Sequence, residues 1–264
     1  MIALIKAEML KQHRNWFLSR FVYFSLLIWP ILQLLTNYFA FKPFNLELAQ
    51  WPMIANINDL MSFLIIGHLA LLCFWSLMQA AWQTGYERET GTLEIIFLSP
   101  ANKRVLMYGR ALAAIVQNAW MFFVFSLALL FLFADFKWEW LWQLPLSLIV
   151  LTITSVIWGA LLNVIFLFSR QAVFLYDICD EPMQLFAGVN LPVSLFPIWA
   201  KAISVIFPLT YVLLAMRALL LEGYWHWGAI AGLLVINTSM VWLTGFLLRK
   251  AESFTRKHGN YNLY

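Results

Sequence analysis

Six of the chain's thirteen acids fall in two short clusters, and these are the residues with the clearest capacity for chemistry. In RQAVFLYDICDEPMQLFAGV, Asp177, Asp180 and Glu181 are offset by three and four residues, which places three carboxylates on one helical face. Such a face suits a cation or a shared proton. In QTGYERETGTLEIIFLSPANKRVLMYGR, Gln83 to Arg110, the charges Glu87, Arg88 and Glu89 stand together and Glu94 follows among apolar residues. Charge beside exposed apolar side chains suits docking. Neither cluster has a nucleophile–base pair or a metal-ligand set beside it. Cys73 and Cys179 lie in apolar surroundings without metal spacing, and they indicate no disulfide framework. His68, in an apolar run, is expected to be packed and not a ligand. The chain contains no G-x-x-x-x-G-K-S/T loop and so does not bind ATP in the P-loop manner.

The elements that position these charges must be membrane helices. Of 264 residues, 63% are hydrophobic, 17% aromatic and only 11% charged, and the mean hydropathy is +0.78. A soluble domain is nearer one quarter charged, so a cytosolic enzyme, a disordered protein and a disulfide-rich secreted scaffold are all excluded. With about 20 apolar residues per span, the chain has room for six: Phe21 to Phe41 with Pro30 as a kink, Leu60 to Trp82, Ala111 to Ala134, Leu144 to Phe168, an irregular fifth span from Ala172, and Gly228 to Leu248. The N-terminus has charges among its apolar residues and no cleavage site, unlike a signal peptide. Ile2, Ile5, Met9 and Leu10 share a face interrupted by Lys6, Glu8, Lys11 and Arg14. That spacing suits a helix over about residues 1–18 lying in the headgroup region, or a cytosolic extension of the first span.

Thirteen of the seventeen bases fall on one side if the spans alternate: Lys6, Lys11, Arg14 and Arg20 before the first, Arg88, Lys103, Arg104 and Arg110 between the second and third, Arg170 after the fourth, and Arg249, Lys250, Arg256 and Lys257 after the sixth. The other side has Lys42, Lys137, Lys201 and Arg217. The positive-inside rule then puts both termini in the cytoplasm of a cell-membrane protein, and an even span count agrees. The positive charge is thus a topology signal, and no nucleic-acid partner is needed to explain it. Trp51, Trp138, Trp140, Trp142, Tyr224, Trp225 and Trp227 fall in the outer loops, where aromatic rings settle at the lipid interface. Gln33, Asn37, Gln79, Gln117, Asn118 and Asn163 are expected to hydrogen-bond between helices.

Between the second and third spans, Gly91 and Thr92 allow a turn. Thr92 is placed to cap a short helix from Leu93 to Leu98, which Ser99-Pro100 ends. Here YERETGTLEIIFLSP, Tyr86 to Pro100, resembles the E-R-E-x-G-T-L-E motif of ABC-2 type exporter permeases. A second segment, Phe186 to Gly223, is similar to the same family's proline-rich stretch through Gly188, Pro192, Pro197, Trp199, Pro208, Thr210, Tyr211 and Arg217. The resemblance runs over essentially the whole chain. It implies one all-α transmembrane domain over residues 1–264 that pairs with a second permease copy or a related permease, and with ABC ATPase subunits that carry the ATP and Mg²⁺. It implies that Tyr86, Glu87, Arg88, Glu89, Gly91, Thr92, Leu93 and Glu94, within a cytoplasmic loop over residues 83–110, contact the ATPase. It also implies a re-entrant outer segment over residues 189–223. The prolines there favour short helical pieces, which need protein or water around them at membrane depth.

The acids of the fifth span remain open to two readings. A charged carboxylate at mid-bilayer costs roughly 2.5–3.5 kcal/mol. Either Asp177, Asp180 and Glu181 face a translocation route for a cationic part of the substrate, or the span starts near Pro182 and leaves them at the interface near Arg170. The resemblance implies an ATP-driven exporter subunit for a hydrophobic or amphipathic compound: a drug, antimicrobial peptide, lipid or lipid-linked glycan. The alternative is an ion-coupled secondary transporter that uses the three acids.

Overall fold

The computed structural model describes residues 2–16, 20–41, 54, 57–98, 102–128, 138–168 and 172–258. Their secondary structure is helical throughout, because a backbone in lipid must satisfy its own polar groups. The α-helices are α1 (Ile2–Trp16), α2 (Arg20–Phe41), α3 (Ile57–Glu89), α4 (Thr92–Leu98), α5 (Lys103–Ala113), α6 (Ile115–Ala128), α7 (Trp140–Phe166), α8 (Ala172–Phe186), α9 (Ile198–Ser204), α10 (Pro208–Arg217) and α11 (Trp227–His258). A 3₁₀ turn at Val193–Leu195 precedes α9, and a π turn at Ala218–Glu222 extends α10.

α3 is the central rod. It packs on α7, α6, α10, α8 and α2, and 94% of its most apolar stretch is buried. α11 packs on α7 and α10, yet only 17% of its apolar stretch is buried. It leaves Leu234, Val235, Trp242 and Phe246 exposed. A helix apolar on all sides, exposed over most of its surface, is stable only against lipid or another protein surface.

Four helical stretches are long and apolar enough to cross a membrane: Asn58–Arg88, Lys103–Leu127, Trp140–Phe166 and Trp227–Ala251. The pair Ile198–Ser204 and Pro208–Glu222, bent by 97°, makes a fifth if read as one broken span. The expectation of six spans is therefore met only to four or five among the described residues. In α2 the apolar stretch is the shorter Leu27–Phe41, with Pro30 inside the helix. α8 has only 15 residues, and its three acids dilute its hydropathy.

Several boundaries also move. The second span does not end at Trp82: α3 runs on to Glu89, so Glu87 and Arg88 stand on a rigid helix and not in a loop. The third begins at Lys103, not Ala111, with α5 and α6 meeting at Ala114. α8 runs from Ala172 straight through Pro182, so no helix start falls at that proline. Trp140 is buried, not interfacial, and its Nε1 donates to Leu220 O at 3.1 Å. Trp138, Trp142, Tyr224, Trp225 and Trp227 are exposed. In α1, Leu10 is exposed, and Leu4 instead packs onto the cluster of Leu93, Leu106, Met107, Val164, Leu167 and Leu248. Trp51, Lys42, Lys137, Arg170, the Ser99-Pro100 stop and the end of the third span at Ala134 lie outside the described residues.

Candidate functional site

The end of α3 is built by its own sequence. Gly91 takes φ +74°, the left-handed conformation that closes helices and that only glycine adopts without strain. The two threonines beside it cover the carbonyls the helix leaves free. Thr90 Oγ1 lies 3.1 Å from Tyr86 O and 3.2 Å from Glu87 O, and Thr92 Oγ1 donates to Glu87 O at 3.0 Å. Thr92 thus ties α4 back to α3 as the first residue of α4, where a cap on the new helix was expected. α4 then turns Leu93 into the cluster with Leu106, Met107 and Val164 while Ile95 stays 71% exposed. The side chains of Glu89 and Glu94 lie outside the described residues.

One turn before that end, Glu87 joins three helices. Its carboxylate accepts from Lys11 Nζ of α1 and from Arg110 Nη2 of α5. Glu8 completes the group, 3.9 Å from Lys11 Nζ and 3.8 Å from Arg110 Nε. Two acids and two bases balance. The chain of bonds continues inward: Arg110 Nη1 donates to Thr84 Oγ1 at 2.8 Å, Thr84 donates to Asn163 Oδ1 at 2.6 Å, and Asn163 Nδ2 donates to Gly159 O at 2.8 Å on α7. Arg88 Nη1 donates to Leu167 O at 2.9 Å, just past the end of α7, where a cation meets the negative end of a helix. Beside this junction is a cavity of about 580 Å³ whose lining includes Lys11, Tyr86, Glu87, Thr92 and Ile95.

Arg217 forms a second junction at the opposite end of α3. Counted with the bases of the outer side and within the re-entrant segment, it is buried. Its guanidinium donates to Gly188 O (2.6 Å), Val189 O (2.8 Å) and Phe63 O (3.2 Å), and its Cζ lies 3.4 Å from the centre of the Phe63 ring. Gly67 makes room for this: a Cβ there would come 2.4 Å from Val189 O. Nearby, His68 Nδ1 lies 2.9 Å from Leu64 O, which can only accept, so Nδ1 carries the proton and Nε2 accepts from Asn37 Nδ2 at 3.1 Å. Asn37 also donates to Asn190 Oδ1 at 3.0 Å. His68 is packed, as its apolar setting suggests.

The proline-rich segment breaks where its prolines fall. Pro192 precedes the 3₁₀ turn, Pro197 precedes α9 and Pro208 is the first residue of α10. Thr210 Oγ1 and Tyr211 OH donate back to Ser204 O (2.8 Å) and Val205 O (3.3 Å), holding the 97° bend, and Trp199 is exposed. On α8, Asp177 and Glu181 are exposed and Asp180 is half-buried. Among the described residues, no ion pair reaches them and no group of His, Cys, Asp and Glu is arranged to hold a metal.

Sequence reasoning missed Glu8, Lys11, Thr84 and Arg110 as a site. The bases were visible only as topology charges, and no local spacing joins residues 8, 87 and 110. Asn37, Asn118 and Asn163 do bond between elements, Asn118 Nδ2 reaching Cys73 O at 3.2 Å. Gln117 was expected to do so, but its Nε2 is buried without a partner among the described residues.

The family model described as ABC-2 type transporter matches residues 1–221 of this chain. No curated protein matches it.

Proposed function

Because the chain belongs to the ABC-2 type transporter family and is a multi-pass permease component without an ATPase site of its own, we propose that it works as half of a permease dimer that exports a hydrophobic or amphipathic compound. Two separate ABC ATPase subunits bind the ATP and Mg²⁺. On this reading the permease has six spans: α2, α3, α5–α6, α7, α8 and α11. α1 lies on the cytoplasmic membrane surface, residues 83–110 meet the ATPase, residues 189–223 form a re-entrant outer cap, and both termini are cytoplasmic.

The observation that carries the reading is the Glu87 junction. A residue of the ATPase-facing motif is tied to α1 and α5 and stands on the helix whose far end Arg217 holds to residues 188 and 189. From Phe63 to Glu87, α3 spans about 36 Å at 1.5 Å per residue. ATP binding closes the ATPase pair, displaces α4, and thereby moves α1, α3 and α5 as one body against the outer segment. The cavity between the two permeases then changes the side to which it opens, through a population shift paid by differential ATP affinity. The exposed Asp177 and Glu181, with Asp180, are assigned to the translocation route, where they attract a cationic part of the substrate.

Co-expression with the partner ATPase tests this. A two-plus-two complex should purify with ATPase activity, and substitutions of Glu87, Arg88, Glu89 and Glu94 should uncouple hydrolysis from transport. Unimpaired coupling in all four would remove the coupling assignment. Replacing Asp177, Asp180 and Glu181 by Asn and Gln should abolish export of a cationic substrate while the ATPase still assembles; unchanged export would remove the route assignment.

A further inference from the structure

A cavity of about 240 Å³ opens between α7, α10 and α11, away from the Glu87 junction, and Ser147, Thr154, Met216, Trp225, Leu233 and Asn237 are among its lining residues. Among the described residues, no Asp, Glu, Lys or Arg lines it. At one end stand Trp225 and His226, the latter accepting from Ala229 N at 3.0 Å at the start of α11. At the other, Asn237 Nδ2 donates to Thr154 Oγ1 at 3.1 Å and closes a polar floor. From Trp227 to Asn237 the helix rises about 15 Å, half of a roughly 30 Å hydrocarbon core and so the depth of one leaflet.

Ser147 is the odd residue in this wall. Three buried hydroxyls bond back to their own helix, Ser76 to Cys73 O, Ser155 of α7 itself to Thr152 O and Thr244 to Met240 O, while Ser126 Oγ on α6 is, like Ser147 Oγ, buried without a partner among the described residues. Ser147 is 2% exposed, and its Oγ finds no partner among the described residues although it borders the cavity. An unpaired buried hydroxyl is costly, and here it stands between the aromatic end and the polar floor. Asn237 Oδ1 is also without a partner, which makes the floor a poor neighbour for further hydrocarbon and sets the depth a chain can reach.

We propose that this cavity is a binding site for one acyl chain of a membrane glycerolipid from the leaflet beside the Tyr224–Trp227 loop. The ester carbonyl accepts from Ser147 Oγ, the chain runs down to Thr154 and Asn237, and the headgroup stays outside near Trp225 and His226. The described lining residues include no Asp, Glu, Lys or Arg, which fits a hydrocarbon chain and its ester better than an ionic headgroup. The proposal rests on the chain crossing a membrane and not on the direction or cargo of transport.

The test uses the full chain in nanodiscs, without nucleotide or ATPase, loaded with a phosphatidylglycerol whose acyl chain carries a diazirine. After irradiation, adducts should concentrate on buried Leu233 and on Val150 rather than on exposed Val235 and Trp242. Unlabelled ester lipid should compete about fivefold better than its ether analogue, the worth of one net hydrogen bond. Ser147→Ala should erase that preference while keeping the adducts in place. Adducts spread evenly over both faces of α11, or equal competition by ester and ether lipid against the unaltered chain, would overturn the proposal. Either failure leaves the transporter reading intact, and the unaltered chain alone decides the matter if the variant does not fold.

Discussion

Replacing Glu87 by Gln should be far more damaging than replacing the lysine it contacts. Arg110 has a side chain 5% exposed and Glu87 one 17% exposed, whereas Lys11 is 38% exposed. Glu87→Gln leaves the buried Arg110 guanidinium with its bond to Thr84 and, among the described residues, Glu8 at 3.8 Å as its remaining acid. Stranding one partner of a buried pair costs about 3–5 kcal/mol, and the remaining acid puts this case near the low end, about 3 kcal/mol. Lys11→Met removes a half-exposed pair worth under about 1 kcal/mol. The double change Glu87→Met with Arg110→Met removes both buried charges together and should recover most of the loss, because well-packed apolar residues replace a buried pair at little cost. At about 2–4 °C per kcal/mol for a chain of this size, thermal unfolding of the purified protein should fall by about 6–12 °C for Glu87→Gln and by no more than about 4 °C for Lys11→Met. If Lys11→Met costs as much as Glu87→Gln, or the double variant is no better than the single, then the junction is not held by its buried pair.

Three further outcomes follow from the same geometry. Gly67→Ala would push a Cβ to 2.4 Å from Val189 O and 2.7 Å from Arg217 Nη2; overpacking of this kind costs about 1–3 kcal/mol, and an unchanged melting temperature would count against the close approach. Arg217→Lys replaces a planar fork that reaches three carbonyls with one ammonium; amide exchange in residues 188–190 should rise at least about tenfold, the equivalent of one lost charge-assisted hydrogen bond, and unchanged protection would refute the clamp. Gly91→Ala meets nothing within 4 Å among the described residues, so its cost should be backbone strain alone, about 1–2 kcal/mol, seen as a small drop in melting temperature; a loss as large as that of Glu87→Gln would mean that the turn is packed and not merely bent.

The helices were legible because lipid demands them and because apolar runs are hard to mistake. The proline-rich breaks were legible too, since Pro192, Pro197 and Pro208 each remove a donor where a piece of helix starts. What the sequence hid was how far α3 runs. Its charges at Glu87, Arg88 and Glu89 look like loop residues, yet Glu87 is neutralised by Lys11 and Arg110 from other helices, and Arg88 bonds beyond the end of α7. Partners 76 and 23 residues away leave no local spacing to read. Arg217 was hidden for the same reason: counted among the outer cations, it is buried because three backbone carbonyls and the face of Phe63 receive it. The family motif marked both places without giving their partners.

The central claim is that α4 and the end of α3 meet an ATPase. Ile95 is 71% exposed on α4 and borders the cavity at the Glu87 junction, so Ile95→Cys can carry a photoactivatable crosslinker without disturbing the core. In the complex with its ATPase, that crosslinker should join the two polypeptides, and the joined pair should lose ATP-driven transport while the unirradiated variant keeps it. Labelling of lipid alone, with no adduct to the ATPase in a complex that still hydrolyses ATP, would contradict the account.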